Sequence, residues 1–237
     1  MTARAFGAVE DLDLDFASAD RPQLVTQLLA QCSDTADAAY WWAQPVSSRT
    51  VALLQLAARS EGLMVLPFTA QCSQCNEAFE FDLPLAPLLA EPIDPAPLRV
   101  QLHSRTLALR RATGNDLRQW RAAQPGSQEQ AVQLMLDSLL LEGEVQADDH
   151  GPLAAALADA DPLAAFAVAC QCPACGAERE VDIDLDAAAL ARLHQRQRAL
   201  LLDIHQLASR YGWSEAQVLA IPASRRAQYL ALIEQTL

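Results

Sequence analysis

The chain reads as an α+β protein: a zinc-ribbon-like small β-sheet formed by two cysteine hairpins, a helical insertion between them, and a C-terminal helical subdomain. Three observations predict this. LPFTAQCSQCNEAFEFDLPL (66–85) and FAVACQCPACGAEREVDIDL (166–185) each set a Cys-x-x-Cys knuckle between strand-like segments. Cys72 and Cys75 align with Cys172 and Cys175 at a shift of 100 residues without a gap. Elsewhere, apolar residues recur mainly at helical spacing, so helix dominates by count.

The expected organisation is a flexible acidic N-terminus (1–20), a mixed core (21–185) carrying the split ribbon (66–85 and 165–185), and a helical tail (186–237). Within the core, Pro22 to Cys32 is a short helix with Pro in its first turn. Asp34 caps a second helix, which reaches Trp41 and Trp42 and ends before Pro45. Ser47 or Ser48 caps TVALLQLAARSEG, where Val51, Leu54 and Ala58 share a face and Gly62 ends the helix.

LMVLPFTA then turns extended, and after the knuckle Phe79, Phe81 and Leu83 alternate onto one side. The five prolines from Pro84 to Pro97 mark a connector. LRVQLHSRTLALRRATG reads as a strand pair. Asn115 or Asp116 starts the next helix, which Pro125-Gly126 stops, and Ser127 caps SQEQAVQLMLDSLLLEG with Gln130 at the capping-box position. A short helix closed by Pro162 leads into the second knuckle.

The longest helix follows VDIDLD and ends at Gly212, its apolar stripe traced by Leu190, Leu193, Leu200, Ile204 and Leu207. Ser214 opens a short helix that Pro222 interrupts, and ASRRAQYLALIEQ completes the tail.

A chain of 237 residues with 51% hydrophobic content can bury a substantial core, built from Leu, Ala and Val because aromatics are only 5%. No apolar run approaches the roughly 20 residues of a bilayer crossing. The N-terminus turns acidic where a secretory peptide needs an apolar segment, so a soluble cytoplasmic protein without membrane contact is expected.

The net charge is −13, and all 17 basic residues are Arg. Such acidity argues against non-specific nucleic-acid binding, which needs cations to displace phosphate counterions. A local strip runs against the trend: between 99 and 121 stand Arg99, Arg105, Arg110, Arg111, Arg118 and Arg121, with Asp116 the one acid. From 129 to 184 the balance inverts, twelve acids against Arg179.

In a reducing compartment, paired Cys-x-x-Cys motifs are metal ligands more often than disulfides. Two intervening residues let a tight turn aim both sulfurs at one ion. Asn76 and Gly176, each directly after the second Cys, are residue types that tolerate the positive φ of such turns. One pair supplies two ligands and two pairs complete a tetrahedral shell, so Cys72, Cys75, Cys172 and Cys175 are the predicted ligands of a structural zinc. The ion then closes a loop of 96 residues between Cys75 and Cys172.

Four thiolates leave no open position for a substrate water. Cys170 and Cys32 read as small buried hydrophobes, Cys170 with the option of replacing a ligand. Thiol redox catalysis favours a helix N-terminus after the Cys-x-x-Cys, and here strands follow.

His194 and His205, about three turns apart on one helix, cannot share an ion, and His103 and His150 join no cluster. No glycine-rich phosphate loop, HExxH or nucleophile elbow is present, and the chain holds only eight Gly. No enzyme and no small-molecule substrate is expected. In the tail, Trp213 and Tyr229 are large anchors for the corner or for a partner, internal packing being the first reading for Trp213. Arg225 and Arg226, beside the final helix's apolar face, complete the partner-binding candidates.

The tail pattern YGWSEAQVLAIPASRRAQYLALI, the CPACG knuckle with its acidic alternating strands, and RATGNDLRQW together resemble the baseplate proteins of contractile-tailed bacteriophages. That family includes the hub assembly protein of T-even phages and relatives in phage-like injection systems. The resemblance spans roughly residues 45 to 237. It implies a tail-assembly chaperone or structural adaptor, made in the host cytoplasm, retained or not in the finished particle, and acting on baseplate or tail-hub proteins. It brings no catalytic residues, and the metal expectation rests on this sequence alone. The alternative is a zinc-ribbon nucleic-acid-binding protein using the Arg strip 99–121.

Overall fold

The computed structural model describes residues 3–34, 37–90, 96–102 and 105–235. His103, and Pro92 and Pro95 of the connector, lie outside the described residues. The class is α+β, as the sequence predicts, with helices surrounding small antiparallel sheets.

Helix α1 (Arg21–Gln31) begins where the Asp20 carboxylate accepts the Gln23 N–H and Pro22 occupies the first turn. Helix α2 (Ala38–Ala43) is capped by Asp37 rather than Asp34. Helix α3 (Val46–Glu61) is preceded by Pro45 at the cap position, ahead of both expected serine caps, and Ser47 is buried in its first turn. Gly62 ends it in the left-handed region at φ 69°.

Strands β1 (Val65–Gln71) and β2 (Ala78–Pro84) pair antiparallel with Phe68 opposite Phe81. The proline connector contains one short helix, α4 (Leu85–Ala90), which buries Leu85 and Leu88. Strands β3 (Leu98–Leu102) and β4 (Arg105–Leu109) form the expected pair.

Helix α5 (Gly114–Ala123) is capped by Thr113, and Asp116 completes the capping box instead of starting the helix. Helix α6 (Gln128–Leu139) carries the Ser127 cap, but its last residues leave the helix as β5 (Leu140–Glu142), which pairs with β4. Helix α7 (His150–Ala160) leads to β6 (Ala167–Gln171) and β7 (Glu178–Asp182). The chain ends in α8 (Leu185–Tyr211), α9 (Glu215–Ala220) and α10 (Ala223–Glu234).

The main core joins α1, α3 and the first half of α8 through Leu28, Leu53, Leu54 and Leu193, and it takes in Leu66, Leu83 and Ile183 at the bases of both cysteine hairpins. A second core packs the β3-β4-β5 sheet on α6 and α7 through Leu107, Leu109, Leu136 and Leu153. A third, small cluster holds Ala70, Cys72, Phe79 and Cys172 at the knuckles.

Three expectations change. The two cysteine hairpins do not merge into one ribbon sheet: each is its own two-stranded sheet, and they meet through side chains at the knuckles. The N-terminal segment is docked in its described part, residues 3–20. Phe6 is 2% exposed and Asp11 0%, and Gln197 of α8 donates to the carbonyls of Leu12 (3.0 Å) and Leu14 (2.9 Å). Phe16 stacks on His194 at 5.2 Å between centroids. The acidic composition predicts a flexible segment; Arg4 neutralises the buried Asp11 and offsets the cost of its burial.

Nor does the tail separate at residue 186. Leu185, Ala189, Leu190 and Leu193 belong to the main core, and only the later residues Ile204 and Leu207 pack with Val218 of α9 and with Trp213, Tyr229 and Leu230. A helix of 27 residues is long enough to serve both clusters.

Candidate metal centre

Each knuckle is built the same way. The Cys72 N–H donates to the Glu77 carbonyl and the Asn76 N–H to the Cys72 carbonyl, both at 2.9 Å. One hundred residues on, the Cys172 N–H donates to the Ala177 carbonyl and the Gly176 N–H to the Cys172 carbonyl, again at 2.9 Å. The turns close because Asn76 (φ 61°) and Gly176 (φ 73°) adopt the left-handed conformation. The residue after each second cysteine does what its type allows.

Hydrophobic anchors hold the hairpins in mutual register. Leu83 and Ile183 each keep 8% exposure at the hairpin bases, and Leu85 and Leu185, at the starts of the following helices, keep 2%. Across the knuckles, the Arg179 guanidinium donates to the Gln71 carbonyl.

The sulfurs of Cys72, Cys75, Cys172 and Cys175 all lie within 4.8 Å of one another, and among the described residues they form the one such group of metal-ligating side chains. The close contacts cross between hairpins: Cys72 to Cys175 is 3.6 Å and Cys75 to Cys172 is 3.7 Å. A disulfide needs about 2.05 Å, so neither pair is bonded. Thiolates about 2.3 Å from a tetrahedral ion stand about 3.8 Å apart. The cluster fits a metal and not a crosslink.

The protonation pattern points the same way. N–H groups of Cys75 and Gln74 pull the Cys72 thiol down to about 6. For Cys75 the Glu77 N–H also pulls down, but the sulfurs of Cys175, Cys172 and Cys72, with burial, outweigh it and push the thiol up to about 12. Cys175 is raised as well, its neighbours Cys72 and Cys172 prevailing over the Ala177 N–H. Four converging sulfurs resist carrying four negative charges on their own. A bound cation removes that penalty, so metal binding releases protons.

Cys170 lies outside the group, half-buried on β6 against the knuckle cluster. Cys32 is buried in the main core, where desolvation first and the nearby Asp11 second push its thiol up to about 12. It behaves as the small hydrophobe the sequence suggests.

The arginine strip is spoken for residue by residue. Arg99 pairs with Glu142 (3.4 Å), Arg105 with Asp149 (2.5 Å), Arg110 with Asp116 (2.6 Å), Arg111 with Asp161 (3.8 Å) and Arg121 with Asp20 (3.7 Å). Arg118 bonds Asn115 at 2.9 Å and lies over the Trp42 ring at 4.9 Å. Three of the acids, Glu142, Asp149 and Asp161, come from the acidic stretch that follows the strip.

The tail candidates divide. Trp213 stacks on Tyr211 at 4.7 Å and meets Tyr229 edge-on at 5.1 Å, so both anchors pack inside the corner. Arg226 is corrected from surface to interior: it is 5% exposed, with Nε 3.0 Å from the Asp203 carboxylate and Nη1 3.5 Å from the Val218 carbonyl. Arg225 is exposed on α10.

Sequence reading missed Arg49. This guanidinium is 2% exposed and donates to the carbonyls of Trp41 (3.0 Å) and Pro22 (2.9 Å) and to the Thr26 hydroxyl (2.9 Å), tying α1 and α2 to α3. Burial lowers its pKa to about 10. The signal was its place on the apolar face of SRTVALL, where a solvated Arg is out of pattern.

Fold and site together define an α+β protein with a four-cysteine cluster able to hold a metal ion. Comparison of the chain with protein-family models, curated proteins and solved structures returns no match.

Proposed function

We propose that this is a non-catalytic protein whose Cys72, Cys75, Cys172 and Cys175 hold one structural zinc, and that it acts through protein contacts as an assembly chaperone or adaptor of a contractile-tail baseplate. The observation that carries the metal reading is the convergence of four sulfurs, from hairpins a hundred residues apart, to within 4.8 Å. Zinc is the ion suited to four thiolates, because it has no geometric preference of its own and accepts a tetrahedral sulfur shell. Bound there, it supplies a crosslink and no reactive position. The chain's own residues do the rest: the knuckle amides orient and stabilise the thiolates, and Leu66, Leu83 and Ile183 fix both hairpins on the helical core.

The assembly role rests on the tail and knuckle patterns of the sequence. A strip of free cations would favour nucleic acid instead; Arg105, Arg110 and Arg111 are engaged by largely buried carboxylates, which leaves Arg99 and Arg121 in exposed pairs and reduces that support. Three measurements test the proposal. Elemental analysis of protein purified without added metal should give one zinc per chain, and a metal-free, fully folded protein would end the metal reading. Affinity capture against tail-hub and baseplate proteins should recover a direct partner. A salt-sensitive DNA or RNA shift with no such partner would replace the assembly role with the nucleic-acid one.

A further inference from the structure

Away from the cysteines, an open cleft of about 370 Å³ lies between the N-terminal segment, the middle of α8 and the start of α10. Phe6, Leu200 and Ile221 supply apolar wall, and Arg4, Arg196 and Arg226 bring three guanidiniums to the same space. In a chain of net charge −13, three cations around one cleft need compensation.

The compensation is uneven. Arg4 is held bidentate by Asp11 at 2.6 and 2.7 Å. Arg226, more than nine-tenths buried, uses Nε on Asp203 and Nη1 on the Val218 carbonyl, and its Nη2 has no acceptor among the described residues. Arg196 has neither an ion pair nor a hydrogen bond among the described residues, and its Nε is buried without a partner. Buried donors are nearly always satisfied, so the orphaned Nε of this half-buried guanidinium, beside a second guanidinium with spare capacity, calls for an acceptor.

A further group points into the same region. Pro222 and Ala223, at the start of the 12-residue α10, line the cleft, and no side chain caps the first turn of that helix. Its leading amides and the positive end of its dipole are therefore available to an anion.

We propose that this cleft binds a phosphate-type oxyanion carried by a small molecule. Arg196 is the principal ligand, Arg226 and the α10 amides add further donors, and the Phe6–Leu200–Ile221 wall receives the rest of the molecule. Planar guanidinium forks match phosphoryl oxygens, and a tetrahedral oxyanion has acceptors enough for several donors at once. The inference does not depend on the metal reading.

The test is calorimetric titration of the full chain as purified, at low ionic strength, with inorganic phosphate and with glycerol phosphate. Saturable binding of one ligand per chain is expected for at least one of the two. Equal affinities assign the phosphoryl group alone; tighter ester binding adds the apolar wall, and either result supports the site. Arg196→Gln should weaken binding by about tenfold or more, whereas Arg198→Gln, the same charge change at an exposed position of α8, should leave it within about twofold. If Arg196→Gln does not fold, Arg196→Lys, which keeps the charge without the fork, carries the same comparison. No saturable binding of either ligand, equal loss in the Arg196 and Arg198 variants, or glutarate binding as tightly as phosphate would overturn the proposal.

Discussion

At the residue scale, Asp11 shows what a buried charge met by a partner means for pH. Burial alone would raise its pKa, but the Arg4 guanidinium and the N–H groups of Gly7 and Ala8 outweigh it and hold the carboxyl below its usual range. Asp116 is held down in the same sense against its own burial, by Arg110 and by the hydroxyl and N–H of Thr113. A carboxylate with a depressed native pKa contributes stability above its unfolded value, about 3.9, and loses it as pH falls through the native value. Asp161 and Asp186 act in reverse: burial raises both, so each costs stability at neutral pH and the cost fades in acid. Asp11→Asn should therefore lower stability at pH 7 by on the order of 2 kcal/mol, leaving a guanidinium without its carboxylate. The gap to the wild type should close between about pH 5 and about pH 2 in denaturant titrations. The cysteines make a second residue-scale prediction. Cys72→Ser should abolish stoichiometric metal, whereas Cys170→Ser, outside the cluster, should retain it by elemental analysis.

At the scale of elements, short chain segments are held in place by single close approaches. Gly114 opens α5 where an added Cβ would stand 1.8 Å from the Arg49 Nη1 and 3.0 Å from the Trp42 carbonyl. The guanidinium cannot swing aside without breaking its bonds to α1 and α2. Gly114→Ala is expected to destabilise the protein by about 2–3 kcal/mol through overpacking, read as a lower denaturant midpoint at unchanged slope. Element identity was largely legible from local pattern. The Ser127 and Ser214 caps, the Gly62 and Gly212 stops and the 98–109 strand pair all follow from residues within one turn of each boundary. Leu140–Glu142 was not legible, because LLLEG continues a helical run and only the free edge of β4 draws it into a sheet.

At the scale of the whole molecule, one ion would tie two halves of the chain. A crosslink across a loop near a hundred residues long removes unfolded-state entropy worth about 4 kcal/mol in the chain-entropy argument. Stripping the metal with a chelator should therefore lower the melting temperature by about 10 °C or more, and zinc should restore it. Limited proteolysis of the stripped protein should cut first at the hairpins 65–84 and 167–182, whose knuckles lose their shared centre while their bases stay on the helical core. A stripped protein with unchanged melting and cleavage would show that the sulfurs bear no structural load.

The sequence by itself determined which four cysteines cluster, the turns that aim them and the class of the fold. Those properties are written in residues a few positions apart, and the hundred-residue repeat says which two pairs belong together. Only the tertiary structure decided that the hairpins stay separate sheets, that residues 3–20 dock, that the Arg strip meets the acidic stretch, and that Arg226 turns inward. Each of these depends on which distant side chain offers a charge or an apolar face, and periodicity along a chain carries no record of that.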